Sequence, residues 1–127
     1  YVHRRRLSSA SDRTLISIVA PPGVAHIHPV LSLIFQDNLE LMRFVGLSHS
    51  LVFDFFVKST GLGDLYDSTL SRLPYFESQP VLIRAAILSF LTSHYAPLWA
   101  EVFDASQKSA LAERWASVGI VCERQVS

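Results

Sequence analysis

The sequence predicts an α+β chain: short N-terminal strands followed by a predominantly helical C-terminal half. Three observations predict it. Apolar and β-branched residues crowd into short runs ahead of Gln36, punctuated by the polar stretch 8–14 and by Pro21-Pro22-Gly23. From Leu39 onward, apolar residues recur at steps of three and four, which is the period of a helix face. Strands first and helices afterwards, without alternation, is an α+β order rather than a βαβ one.

The first predicted strand covers 1–9 and contains His3-Arg4-Arg5-Arg6. Strand side chains alternate, so Arg4 and Arg6 are expected on one face and Arg5 on the other. Arginines in such a run suit bidentate phosphate contacts. They equally suit a solvated edge strand that resists aggregation. A turn follows over 8–14, where Ser8, Ser9, Ser11 and Asp12 can bond their own backbone. Arg13 stands at the mouth of the next run, placed either to anchor the turn or to reach a ligand. Leu15-Ile16-Ser17-Ile18-Val19-Ala20 is rich in β-branched residues and ends at Pro21-Pro22-Gly23, so it reads as a buried strand. The segment 24–35 is again extended, with His26 and His28 on one face.

Gln36-Asp37-Asn38 starts a helix, with Asp37 as N-cap and Glu40 at capping-box spacing. Its predicted face runs Leu39, Met42, Val45, Gly46, His49, Val52, Phe53 and Phe56, so one long helix is expected to reach Lys58. Gly46 in its interior costs about 1 kcal/mol against alanine, unless a neighbour packs closely there. Asp54 sits alone among phenylalanines, as expected of an acid that bonds backbone groups of a neighbouring segment. The apolar run stops at Lys58-Ser59-Thr60-Gly61, and Gly63 follows. A rigid helix thus delivers a small polar loop whose glycines allow close backbone approach. Leu73-Pro74-Tyr75-Phe76 leaves in extended form.

Ser78 caps the next predicted helix, 79–95, with Pro80 in its first turn. Leu82, Ile83, Ala86, Ile87, Phe90 and Leu91 form its core face. Pro97 opens a short helix through Trp99, Val102 and Phe103. A third helix is expected over 107–118, lined by Leu111, Trp115 and Val118 and closed by Gly119. The tail 120–127 reads as a short strand or a frayed end.

At 127 residues the chain suits one domain with its own core. Because it opens on Tyr1 rather than methionine, it reads as a piece of a longer protein. Residues 1–76 hold the strands, long helix and loop; 77–127 hold the helical part. A mean hydropathy of +0.30 fits faces that meet other domains. Lysine plus arginine equals aspartate plus glutamate, 11 each, so no global field steers a polyanion, and any such contact must be local. The single cysteine, Cys122, excludes an intrachain disulfide and fits a reducing, cytoplasmic setting. No apolar h-region follows the basic N-terminus, and no run approaches the ~20 apolar residues of a membrane span.

No catalytic residue can be assigned. His49, Ser50 and Asp54 lack a G-x-S-x-G elbow. Gly61-Leu62-Gly63 lacks the third glycine and preceding strand of a dinucleotide site. His26 and His28 fall short of a zinc ligand set, so no metal ligand is assigned.

The order of these motifs is nevertheless specific. Ser50-Leu51-Val52-Phe53-Asp54-Phe55, then Lys58-Ser59-Thr60-Gly61, then Leu70 to Leu73-Pro74 resembles the target-recognition region of large bacterial adenine-specific DNA methyltransferases. These belong to restriction-modification systems and include the type IIG proteins that fuse methylation and cleavage. Asp12-Arg13-Thr14, Pro21-Pro22-Gly23-Val24-Ala25-His26 and Leu91-Thr92-Ser93-His94-Tyr95-Ala96-Pro97-Leu98-Trp99 extend the likeness across most of the chain.

The resemblance implies a domain that reads double-stranded DNA. A methyltransferase domain of the same parent chain would bind S-adenosylmethionine and carry an Asn-Pro-Pro-Tyr-type motif, absent here. No cofactor is then expected in this chain. The DNA-contacting residues it implies are Arg13 and Thr14 at the strand mouth and Lys58, Ser59, Thr60 and Gly61 in the loop. Arg4, Arg6 and Arg72 join them on phosphate. The alternative is an interaction or scaffold module without nucleic-acid binding, docking through Trp99 and Trp115.

Overall fold

Strand and helix segregate along the chain as the pattern predicts. The computed structural model describes residues 1–103 and Glu113. Three short strands come first: β1 (Val2–Arg4), β2 (Ser17–Ile18) and β3 (Val30–Ser32). They form an antiparallel sheet in the order β2-β1-β3. Five helices follow among the described residues: α1 (Asn38–Ser48), α2 (Leu51–Ser59), α3 (Asp67–Leu70), α4 (Gln79–Ser89) and α5 (Ala96–Val102). The fold is α+β. The helix expected over 107–118, with Trp115, and the tail with Cys122 lie outside the described residues, apart from Glu113.

The register is set by Val2 opposite Ile18 and Ser32, and His3 opposite Ser17 and Leu31. One sheet face packs on α1: Tyr1 meets Phe44 edge-to-face at 5.0 Å, and His3 is 2% exposed. The strands are shorter than expected: of the 1–9 run only Val2–Arg4 is strand, and only Val2 and His3 have register partners on both sides. Leu15 and Val19 are buried but Ile16 and Ile18 are exposed. The 15–20 run is therefore an edge strand buried on one face, not both.

The single helix expected from Asn38 to Lys58 is two. Asp37 caps α1, its carboxylate accepting from Leu39 N at 2.7 Å. Ser50 leaves the helical region, with φ −73° and ψ 150°, and its hydroxyl accepts from Phe53 N at 3.2 Å. The break rotates the second half. Phe53, Asp54 and Val57 turn inward, whereas Val52, expected on the core face, is 72% exposed.

α1, in which Met42 and Val45 are buried, packs on α4, whose Leu82 and Ala86 are buried. Each fully buried large aliphatic side chain contributes about 1.5–3 kcal/mol. Gly46 permits this approach: a Cβ there would lie 2.8 Å from Val81 Cγ1 and 3.1 Å from the Val81 carbonyl oxygen. α4 ends at Ser89, not at Tyr95, because Phe90 has φ −101° and ψ 54°. Leu91, expected in the core, is exposed. A 3₁₀ turn, Ser93–Tyr95, leads to α5. There Trp99 stacks on Phe103 at 4.2 Å and meets Phe90 edge-on.

Candidate nucleic-acid interface

The polar loop does not stand alone. Beyond β1 the chain runs alongside the segment that follows α2. Leu65 N donates to the Arg5 carbonyl at 2.8 Å and Leu7 N to the Gly63 carbonyl at 2.9 Å. Arg6 and Asp64 form an isolated antiparallel bridge. The arginine run and the glycine loop, more than fifty residues apart in sequence, are thus one unit.

Asp64 carries the local negative charge. Its Oδ1 lies 3.7 Å from Arg5 Nε and 3.8 Å from Arg6 Nε. Two guanidinium groups face one carboxylate, so the edge keeps net positive charge. Arg5 is largely enclosed, at 15% side-chain exposure, while Arg6 at 75% faces solvent. Arg5 Nη1 also lies 2.9 Å from His28 Nε2. A guanidinium only donates, so that imidazole nitrogen accepts. His26 and His28 are exposed in the loop before β3 rather than paired on a strand. Among the described residues no three metal-ligating side chains gather.

At the end of α2, Lys58 is exposed and its Nζ donates to the Ser11 carbonyl at 3.2 Å. This bond draws the 8–14 turn to the loop. Ser59 and Thr60 donate their hydroxyls to the carbonyls of Phe56 and Val57, each at 2.7 Å. Their protons close the helix end, and their lone pairs are left to accept. Leu62 N uses one of Thr60's, at 3.3 Å. Gly61 has φ +66°, a left-handed conformation that disfavours any side chain.

Arg13 and Thr14 are fixed by Asp54. The Asp54 carboxylate accepts from Thr14 N at 2.8 Å and Leu15 N at 2.6 Å. Arg13 Nε lies 3.6 Å from the same oxygen, and its Nη2 donates to the His49 carbonyl at 3.1 Å. Arg13 therefore anchors the turn. Thr14 is 2% exposed and presents no side chain to a ligand, which corrects its expected place at a DNA surface.

Arg4 is a second correction: it is half-buried and its Nε and Nη2 are buried, so they are not presented to a phosphate. Alternation along β1 turns it away from Tyr1 and His3, toward the other sheet face. Past β1 the alternation lapses, and Arg5 and Arg6 both reach Asp64. Arg72 is exposed just beyond α3, and no hydrogen bond or ion pair among the described residues ties it to the others. The edge thus assembles Arg6, Lys58, Ser59, Thr60 and Gly61, with Arg13 behind them.

Sequence reasoning missed Asp64. The sequence marks it only as the acid directly after Gly63; its place opposite Arg5 and Arg6 comes from backbone pairing. His49, Ser50 and Asp54 do not form a triad. His49 Nε2 donates to the Ser17 carbonyl at 3.1 Å, Ser50 caps α2, and Asp54 faces the Thr14 backbone.

Burial pushes the pKa of His49 down, with the nearby Arg13 charge adding to the shift and the Ser17 carbonyl opposing it. Burial likewise pushes His3 down against its contact with the Arg4 carbonyl. Both are favoured as neutral imidazoles. Comparison with protein-family models, curated proteins and solved structures finds no match.

Proposed function

We propose that this chain is the target-recognition part of a restriction-modification type adenine-N6 DNA methyltransferase acting in the cytoplasm. The observation that carries the reading is the joining of the arginine run to the glycine loop. It sets the exposed cations Arg6 and Lys58 on one edge, beside a backbone that Gly61 leaves bare. Arg6 suits a phosphate. Lys58 suits a phosphate or a guanine edge, and the exposed hydroxyl oxygens of Ser59 and Thr60 suit base-edge donors. Asp54 acts through position: it fixes Arg13 and the 8–14 turn against α2. S-adenosylmethionine and methyl transfer would belong to a methyltransferase domain of the parent chain, with or without an appended nuclease.

The test is made in that parent. Methylated adenines are mapped in cells carrying the wild-type protein, Lys58→Ala, or Arg6→Ala. The reading expects one methylated motif, lost or relaxed in the variants. Absence of any adenine methylation dependent on the protein would remove it.

A second reading, an interaction module, is favoured by α2. Leu51, Val52 and Phe55 are each more than 70% exposed there, and Leu62 beyond them is 47% exposed. Such a row suits a protein partner. Trp99, first considered for that role, is half-buried against Phe90 and Phe103.

A further inference from the structure

Asp12 differs from the other aspartates of the described residues. Asp37 caps α1, and Asp54 holds the Thr14 and Leu15 backbone. Asp64 faces Arg5 and Arg6, and Asp67 accepts from Ser68 N at 2.9 Å. Each of those carboxylates has a partner inside the fold. Asp12 is exposed, and its side chain has neither a hydrogen bond nor an ion pair among the described residues. The turn that carries it is nonetheless fixed. Ser11 Oγ lies 2.9 Å from the Ser8 carbonyl oxygen and 3.0 Å from that of Arg13. Lys58 Nζ donates to the Ser11 carbonyl at 3.2 Å, and that carbonyl belongs to the peptide unit joining Ser11 to Asp12. An exposed cation is thus seated on the peptide unit that leads to an exposed acid, and no ion pair joins the two side chains.

An acid beside a DNA-facing cation limits what the cation can contact. A phosphate on Lys58 would bring like charge toward Asp12, and the repulsion would offset part of the attraction. Base edges differ. In the major groove guanine offers the acceptors N7 and O6, and its partner cytosine offers the donor N4. Lysine matches the guanine edge and aspartate the cytosine donor. An A·T pair presents a donor between acceptors, so an acid placed on adenine N6 would also meet thymine O4.

We infer that Lys58 and Asp12 together read one G·C base pair of the target, Lys58 on guanine O6 and N7 and Asp12 on cytosine N4. The inference rests on the reading of this chain as a DNA target-recognition part. It adds Asp12 to the residues that set the target, and it assigns Lys58 to a base rather than a phosphate.

The test is made in the parent methyltransferase. Methylated adenines are mapped in cells carrying wild type, Asp12→Ala, Asp12→Asn or Lys58→Ala, and the motifs are compared position by position. The purified full-length proteins are also titrated with duplexes that differ by single base-pair exchanges, so that a variant that binds without methylating is still scored. Asp12→Ala and Lys58→Ala should both relax the same G·C position, where discrimination should fall roughly 5- to 150-fold. Other positions should stay as in wild type. Asp12→Asn should admit A·T at that position, because its amide can turn to donate to thymine O4. An aspartate that only supports the turn would lower methylation without changing the motif, and that result overturns the inference. Relaxation at an A·T pair overturns it too, as does relaxation by the two alanine variants at different positions. If wild type gives no adenine methylation that depends on the protein, the DNA reading itself falls, and this inference with it.

Discussion

The Asp54 carboxylate holds Leu15 N at 2.6 Å and Thr14 N at 2.8 Å through one oxygen, forty residues away along the chain. This is the contact by which α2 fixes the turn leading into β2. All its members are buried, so no water replaces the bonds when the acid is removed. Asp54→Ala leaves two buried donors and the Arg13 charge unmatched, and should destabilise the fold by about 3–5 kcal/mol. Asp54→Asn keeps an acceptor oxygen and should cost about half as much. Urea unfolding monitored by circular dichroism measures both. Equal stability of Asp54→Ala and wild type would show that the contact contributes nothing.

Ser50 allows a test of the helix break. In one continuous helix from Asn38 to Lys58, Ser50→Ala would be neutral or stabilising, since alanine is the better helix former. At an N-cap the same change removes the acceptor for Phe53 N and should cost about 1 kcal/mol. The sign of the shift in the urea midpoint therefore separates the two.

That break also shows what the sequence conceals. The three-and-four spacing from Leu39 to Phe56 continues through Ser48-His49-Ser50, because periodicity reports faces and is blind to a local cap. The capping oxygen of Ser50 and the bond from His49 Nε2 to the Ser17 carbonyl end the first helix, and the latter is a tertiary contact. The continuous apolar run 15–20 resembled a strand buried on both faces. Covering the second face requires a layer that is not written into the run itself. By contrast, Asp37, Asp54 and Gly46 were legible, because each is a residue type that its surroundings otherwise penalise. The polar loop was legible too. Its attachment to Arg5, Arg6 and Leu7 was not, since backbone pairing across more than fifty residues leaves no spacing signal.

Gly46 should not tolerate a methyl group. Alanine would gain about 1 kcal/mol of helix propensity, but its Cβ would meet Val81 Cγ1 at 2.8 Å. Overpacking of this kind costs about 1–3 kcal/mol, so Gly46→Ala should be net destabilising. Val81→Ala in the same chain removes the Cγ1 clash but not the carbonyl contact at 3.1 Å. The double mutant should therefore recover part of the loss. A strictly additive double-mutant cycle would contradict the packing.

His3 and His49 give the fold an acid limit. Both have folded pKa values pushed below their ordinary 6.5, mainly by burial. Above 6.5 both are neutral folded or unfolded, and stability is full. As pH falls below 6.5 the unfolded chain takes up protons first, so stability declines until the folded-state values are passed. The histidines should make the thermal midpoint fall from pH 6.5 toward 5. His49→Gln should flatten part of that fall. A midpoint that rises on acidification would reverse the assignment.

Lys58 is the cleanest probe of the DNA reading, because its removal leaves the fold nearly intact. It is exposed, and its one side-chain hydrogen bond among the described residues goes to the Ser11 carbonyl at 3.2 Å. A surface contact of this kind contributes well under 1 kcal/mol to stability. Arg13 lacks that advantage, since it is tied to Asp54 and His49, and its loss would disturb the turn. Lys58→Ala should thus leave the urea midpoint unchanged while weakening binding to duplex DNA carrying the target. If Lys58 contacts a base, the loss should be about 1–3 kcal/mol and confined to sequences with that base pair. If it contacts phosphate, the loss should be uniform across sequences, and the salt dependence of binding should shallow by about one counterion. Arg6→Ala should follow the phosphate pattern. Unchanged affinity in both variants, with folding preserved, would take this edge out of DNA recognition.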